Sequence, residues 1–250
     1  MSLSKDDAER CGVGEGGGAL QGIRIGTSGW HYAHWCGPFY PIKLPSARML
    51  EFYCQRLKTV EVNNSFYHLP AKQTFRRRKE ETLPDFLFAV KASRYITHMK
   101  KLKDSQEPLE LLLSHAAGLG NKLGPVLFQL PPRWGRNAPR LKDFLGALPK
   151  RHRYAFEFRD ASWFHPEIYS LLEKRNAAFC VFDLAGQESP RPLTTDFAYL
   201  RLHGPAAQKY AGRYSRSQLG DGCVSRRNGS NKARARFSSI SITIRRASRC

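Results

Sequence analysis

The chain has 250 residues, the usual length of one β/α barrel and enough for a single sizeable core. It carries 41 Lys+Arg against 21 Asp+Glu, a net charge of +20, and such an excess points toward polyanionic partners. Residues 216–250 hold nine Arg/Lys and one Asp, so much of that signal sits in the tail and weakly marks the body as nucleic-acid-binding.

No stretch is apolar enough to span a bilayer, and residues 1–22 lack the apolar run of a signal peptide. They are expected to be a disordered leader of a cytoplasmic protein with no membrane association. Six cysteines (Cys11, Cys36, Cys54, Cys180, Cys223, Cys250) show no C-x-x-C or zinc spacing, so reduced thiols are expected.

The first strand, Ile23 to Gly29, runs into a glycine turn and then Trp30, His31 and Tyr32. Its Gly26-Thr-Ser-Gly29 spacing is weak evidence for phosphate binding, because no Lys-Ser/Thr follows. A helix is expected from Ser46, a suitable N-cap, to about Lys58, with Met49, Leu50, Tyr53 and Leu57 at helical spacing. Val60 to Asn63 reads as the second strand, with Glu61 and Asn63 on one face. Thr74 to Glu81 reads as a short basic helix whose charges (Arg76, Arg77, Arg78, Lys79) form a solvated outer face.

Phe86 to Lys91 is the third strand, followed by a loop with Tyr95, Thr97 and His98 and a helix from about Glu107 to Ala117. Val126 to Leu130, carrying Gln129 and stopped by two prolines, is the fourth. After a helix over Pro139 to Leu148 comes Arg153 to Arg159, an alternating aromatic strand with Glu157 and Arg159 two residues apart. Both charged groups near the end of an apolar strand need partners or a solvated rim, since burying them alone costs several kcal/mol. Pro166 to Arg175 is the next helix, Ala178 to Asp183 the sixth strand, and Ala198 to His203, with Arg201 and His203 on one face, the seventh.

Seven strands alternating with helices imply an α/β fold of the TIM-type (β/α)8 kind, its polar residues gathered at the strand C-termini. The domain is expected over residues 23–215. Residues 216–250 depart from the pattern, being rich in Ser and Arg. They read as a basic extension, disordered or nucleic-acid-binding, or as a shifted reading frame. The codons allowed for Arg236 to Ala247, read one frame over, can spell VFVYFNNDQAG, an apolar strand ending Asn-Asn-Asp. On that reading the barrel lacks its eighth strand and the chain is an inactive truncated product.

The segments GTSGW at Gly26 to Trp30, GPFYP at Gly37 to Pro41, TVEVNNSFYHLP at Thr59 to Pro70, FAVKASRYITH at Phe88 to His98, LGPVLFQLPP at Leu123 to Pro132, FEFRDASW at Phe156 to Trp163 and YLRLHG at Tyr199 to Gly204 stand in this order. Together they resemble the YecE-like family, domain of unknown function 72. The resemblance implies a β/α barrel and carries no established activity with it.

Acids and a histidine drawn from separate strands are what a divalent metal needs, which makes Glu61, Glu157, Asp183 and His203 the candidate ligands. The alternative is a metal-free ion network in which Lys91, Arg159 and Arg201 neutralise those acids. Glu157, His203 and Asp183 are the candidates for acid–base work. Ser28, Trp30, Asn63, Lys91, Gln129, Arg159, Trp163, Arg201 and Tyr210 are the candidates for ligand binding, because guanidinium forks and flat aromatics suit an anion carried on a ring or sugar. His98 is a second acid–base candidate, and Cys36 has no surrounding His-Asn context for nucleophilic catalysis. The expected activity is that of a hydrolase or lyase on a phosphorylated or nucleotide-like substrate. Its alternative is a non-catalytic module binding nucleic acid or another anion.

Overall fold

The computed structural model describes residues 23–184, 186–204 and 236–242. The strands are β1 (Ile25–Ser28), β2 (Thr59–Val62), β3 (Leu87–Lys91), β4 (Leu123–Gln129), β5 (Tyr154–Glu157), β6 (Ala178–Leu184), β7 (Gln187–Glu188), β8 (Phe197–Leu202) and β9 (Arg236–Ile242). The helices are α1 (Met49–Cys54), α2 (Asn64–Tyr67), α3 (Lys72–Glu80), α4 (Gln106–Ala116), α5 (Ala138–Ala147) and α6 (Pro166–Lys174).

The strands form a curled, mostly parallel sheet in the order β5-β4-β3-β2-β1-β9-β8-β6-β7. β5 pairs in parallel with β6 as well as with β4, and among the described residues only the two-residue β7 runs antiparallel, against β6. Parallel strands need long crossovers, and the helices between them supply these.

Arg236–Ile242 pairs in parallel with both β8 and β1. This corrects two expectations. The place between the seventh expected strand and the first is filled by residues of this chain, and those seven residues of the tail form a strand. The rest of the expected tail, residues 216–235 and 243–250, lies outside the described residues, as do the leader 1–22, Cys11, Cys223, Cys250 and the candidate Tyr210. Cys36, Cys54 and Cys180 are free thiols.

Strand alternation sorts the core into two layers. Val60, Val62, Phe88, Val90, Val126, Phe128, Tyr154, Phe156, Phe179, Val181, Ala198 and Leu200 belong to one large cluster shared with helix residues such as Phe75, Leu112, Leu141 and Ile168. The intervening positions Ala89, Leu127, Ala155, Ala178, Cys180, Phe197 and Tyr199 form a second, smaller cluster. Successive side chains of a strand point to opposite faces, so the smaller cluster is the inner face of the curl. Two residues further on, the same parity leads to Lys91 on β3, Gln129 on β4, Glu157 on β5 and Arg201 on β8. A strand buried on both faces is apolar almost throughout, so these polar finishes stand out.

Glycine has a structural duty at one place in β1. A Cβ at Gly26 would lie 1.9 Å from the Thr59 carbonyl oxygen, so β1 and β2 approach only because nothing is there. The expected basic helix starts earlier than foreseen, at Lys72. Tyr95–Met99 forms a π-helical turn where a loop was expected, and the strand expected to reach Asn63 stops at Val62.

Candidate functional site

At the inner C-terminal end of the sheet three polar side chains bond one guanidinium, and three more bond its two carboxylate partners. Arg201 Nη1 donates to Glu157 Oε2 at 2.5 Å and to Gln129 Oε1 at 3.3 Å, while its Nη2 donates to Glu61 Oε1 at 2.8 Å. Glu61 also accepts from the Tyr199 hydroxyl at 2.8 Å and from Ser28 Oγ at 3.1 Å. Arg159 Nε pairs with Glu157 Oε1 from the other side. β-sheet register explains part of the convergence, since Ser28 lies opposite Glu61 and Gln129 opposite Glu157.

Glu61, Glu157 and Arg201 are all buried. Burial by itself would raise the Glu157 carboxyl, but the guanidiniums of Arg201 and Arg159 override it and hold the group well below the usual carboxylate range. Burial opposes the charge on Arg201 too, and Glu157 and Glu61 more than restore it. Glu157 and Arg201 are therefore both charged at neutral pH.

Around it stand basic groups whose hold on a proton is weakened by burial. His203 follows β8, its backbone N–H donating to the Asp183 carbonyl at 2.9 Å. Burial, reinforced by Arg201, brings its imidazole down to about 3. Its Nε2 lies 3.3 Å from Arg159 Nη2, and because a guanidinium can only donate, Nε2 must accept. The neutral ring therefore carries its proton on Nδ1. Lys91 lies over the Phe66 ring, Nζ 4.3 Å from the centroid, and burial with the nearby Arg201 brings it down to about 8. His98 packs edge-on against Phe66, and its Nδ1 lies 2.9 Å from Thr97 Oγ1. Burial, with Lys91, brings it down to about 4.

Among the described residues no three His, Cys, Asp or Glu side chains converge as ligands. Arg201 bridges Glu61 and Glu157 directly, and a cation in that position would meet a guanidinium. Asp183 falls on the strand parity opposite to Cys180, away from the inner cluster. Of the four expected metal ligands, Glu61 and Glu157 are taken up by the ion network and His203 borders it through Arg159.

Of the ligand-binding candidates, Ser28, Lys91, Gln129, Arg159 and Arg201 come together at this opening. Asn63 does not share the face of Glu61: it has left the strand with φ −92° and ψ −25° and precedes α2. With Trp30 it lines a neighbouring cavity of about 570 Å³. Trp163 is a correction. Its side chain is fully buried, stacked on Phe158 with ring centroids 5.0 Å apart, and its Nε1 donates to the Trp134 carbonyl at 2.6 Å. It belongs to the core because the turn after Asp160 folds it back under β5.

Two participants escaped the sequence reading. Tyr199 and Cys180 look like ordinary strand residues, yet Tyr199 donates to Glu61 and the Cys180 thiol lies 3.8 Å from Glu157 Oε2. Burial and then the adjacent carboxylates push both well above their usual ranges, so each stays protonated. Their signal was positional, Tyr199 standing two residues before Arg201.

Among the described residues no helix is long and apolar enough to cross a membrane. Comparison with known proteins places this geometry in a family. A curated relative, UPF0759 protein YecE of Escherichia coli K12, is 30% identical over 153 residues, which cover 61% of this chain and 52% of that protein. UPF0759 protein YunF of Bacillus subtilis is 32% identical over 163 residues, 59% of this chain and 54% of that protein. The chain thus spans about half the length of the curated relatives it matches. A crystal structure of a DUF72 family protein from Thermotoga maritima superposes with a TM-score of 0.73 at 25% identity, covering 89% of this chain and 92% of the other. One from Enterococcus faecalis gives 0.71 at 16% identity, covering 89% and 88%, a likeness of fold. The family described as "Protein of unknown function DUF72" matches residues 24–232, and the chain belongs to it.

Proposed function

We propose that the eight parallel strands make a TIM-type (β/α)8 barrel whose C-terminal opening binds an anionic, phosphorylated or nucleotide-like small molecule, on which the protein acts as a hydrolase or lyase. In such barrels the strand C-termini carry the chemistry, and the polar strand finishes here all lie at that end. One observation carries the reading. Arg159 presents a buried Nη1 with no hydrogen-bond partner among the described residues, while Glu157, its neighbouring acid, is already bridged by Arg201. A buried guanidinium donor left over after its acid is satisfied suits a ligand oxyanion.

The charge balance agrees. Two carboxylates, Glu61 and Glu157, face Arg201, Arg159 and Lys91, which leaves a positive excess that an anion would neutralise. Proton transfer in this reading falls to groups outside the salt bridges. Lys91, down to about 8, can give or take a proton near neutral pH, and the neutral His98 is a second acceptor. Glu157 and Arg201 act by holding Arg159 in place.

The test is calorimetric titration with sugar phosphates, nucleoside monophosphates and their uncharged parents, followed by turnover assays for phosphate release and elimination. Binding of a phosphorylated compound that weakens at least tenfold in a folded Arg159→Gln protein supports the site. Equal binding of charged and uncharged compounds removes it, and binding of nucleic acid without turnover would leave the module reading in its place.

A further inference from the structure

The cavity beside the ion network carries a separate assignment. It is bounded by the loop after β1, by Asn63 and Asn64 at the start of α2, and by the outer part of α3. Gly29, at φ +85°, makes the turn that folds Tyr32 back so that its hydroxyl donates to the Ser28 carbonyl. A Cβ on Gly29 would sit 2.8 Å from that hydroxyl, so the turn and the folded ring are linked. Trp30 is thereby turned toward α3, where Arg78 lies with its guanidinium carbon 4.9 Å from the Trp30 ring centroid.

Arg78 is not one of the solvated charges of its helix. Three residues after the buried Phe75 it shares that residue's face, and its guanidinium also lies 5.7 Å from the Phe75 ring. Its neighbour Arg77 takes the nearest acid, Nε lying 3.4 Å from Glu81 Oε1. Burial brings Arg78 down to about 10, and it remains charged at neutral pH. Arg78 Nη1 and Asn63 Oδ1 are buried polar atoms with no hydrogen-bond partner among the described residues.

We infer that this cavity is a binding site for an oxyanion carried on a flat ring, the anion held by Arg78 and the ring lying against Trp30 and Tyr32. The volume of about 570 Å³ suits a small ring compound. A guanidinium backed by an indole is fixed in orientation before the ligand arrives, so its donors are presented without loss of side-chain freedom. Asn63 and the adjacent Asn64 amide would take the hydroxyl or N–H groups of such a ligand. This site involves neither Arg201 nor Arg159 and stands apart from the reading of the barrel opening.

The experiment is calorimetric titration of the full chain with phenyl phosphate, benzoate, inorganic phosphate and phenol. Phenyl phosphate or benzoate should bind more tightly than phosphate or phenol, and comparing the two ring anions distinguishes a phosphate from a carboxylate site. Arg78→Gln should weaken the ring anion by about tenfold or more, since a buried charged hydrogen-bond donor is removed. Arg78→Lys should recover only part of the loss. Trp30→Leu should weaken phenyl phosphate more than inorganic phosphate, since it removes the ring contact as well as the backing of Arg78. Ring anions that bind no more tightly than inorganic phosphate, or undiminished affinity in a folded Arg78→Gln protein, overturn the assignment. Arg159→Gln separates the two sites, because it should leave phenyl phosphate binding in this cavity intact while abolishing phosphate at the barrel opening.

Discussion

Replacing Arg201 with methionine is the sharpest test of the ion network. The change removes hydrogen bonds at 2.5 and 2.8 Å to two buried carboxylates and leaves Glu61 with Ser28 and Tyr199, and Glu157 with Arg159. A hydrogen bond to a charged group contributes about 1.5–3 kcal/mol, so the two sum to roughly 3–6 kcal/mol. Breaking a buried ion pair from one side costs about 3–5 kcal/mol, because the stranded charge keeps its desolvation penalty, whereas an exposed pair would cost under about 1 kcal/mol. The expected loss is therefore about 3–5 kcal/mol, or roughly 10 °C in melting temperature for a chain this long. Urea unfolding followed by tryptophan fluorescence at pH 7.5 measures it.

The sign of the pH dependence adds a second check. In the parent the Glu157 carboxyl is held below its unfolded value of 4.5, so its stabilisation is present above pH 4.5 and is lost as pH falls toward the lower folded value. Without Arg201 the dominant influence is burial, which favours the protonated acid. The gap between parent and variant should therefore narrow on acidification. Adding Glu61→Gln to the variant should recover part of the stability, because one stranded charge goes with it. A loss under 1 kcal/mol at pH 7.5, or a double variant no more stable than Arg201→Met, would refute a desolvated network.

Other outcomes follow from the same geometry. His203, down to about 3, should remain neutral with its proton on Nδ1 from pH 5 to 8, as long-range imidazole nitrogen spectra would report; an inflection near 6.5 would contradict its burial. Since the unfolded chain takes up that proton first, the residue should cost stability as pH falls from about 6.5 toward 3. Lys91, down to about 8, should be acetylated faster than surface lysines at pH 8 in a mass-spectrometric time course, and equal rates would contradict its setting. Gly26→Ala should destabilise by about 3 kcal/mol or more in the same urea assay, because the Thr59 carbonyl is backbone and cannot yield.

The strands were legible because parallel strands covered on both faces need near-continuous apolar runs, and the runs of β2, β3, β4, β5 and β8 carry a polar residue on the inner face near their C-terminal ends. That parity made Glu61, Glu157 and Arg201 recognisable as convergent before any coordinates. What it could not convey was the division of labour, because a guanidinium that chelates two acids and a metal that does so leave the same residues in the sequence. Trp163 misled for a related reason: an indole after a strand end suits a rim as well as a core, and only the turn after Asp160 decides. Asn63 was assigned to the wrong face because alternation was extended one residue past Val62, where the backbone had already turned helical. Arg78 was hidden in a run of four basic residues whose average is a solvated face, although its three-residue distance from Phe75 was visible.

The division of labour has a physical consequence for where chemistry can occur. Glu157 is a fully buried acid of the inner face, yet Arg201 and Arg159 hold its carboxyl well below the usual carboxylate range, so it cannot serve as an acid at neutral pH. A carboxylate locked in this way has its use in orientation, for it fixes Arg159, and Arg159 in turn fixes the tautomer of His203. Residues able to exchange a proton near neutral pH must therefore be sought one layer outward, where burial lowers a cation without an opposing acid in contact. Lys91 meets that condition: burial and the neighbouring Arg201 guanidinium lower it against the opposing pull of Glu61 and Glu157, neither of which touches it.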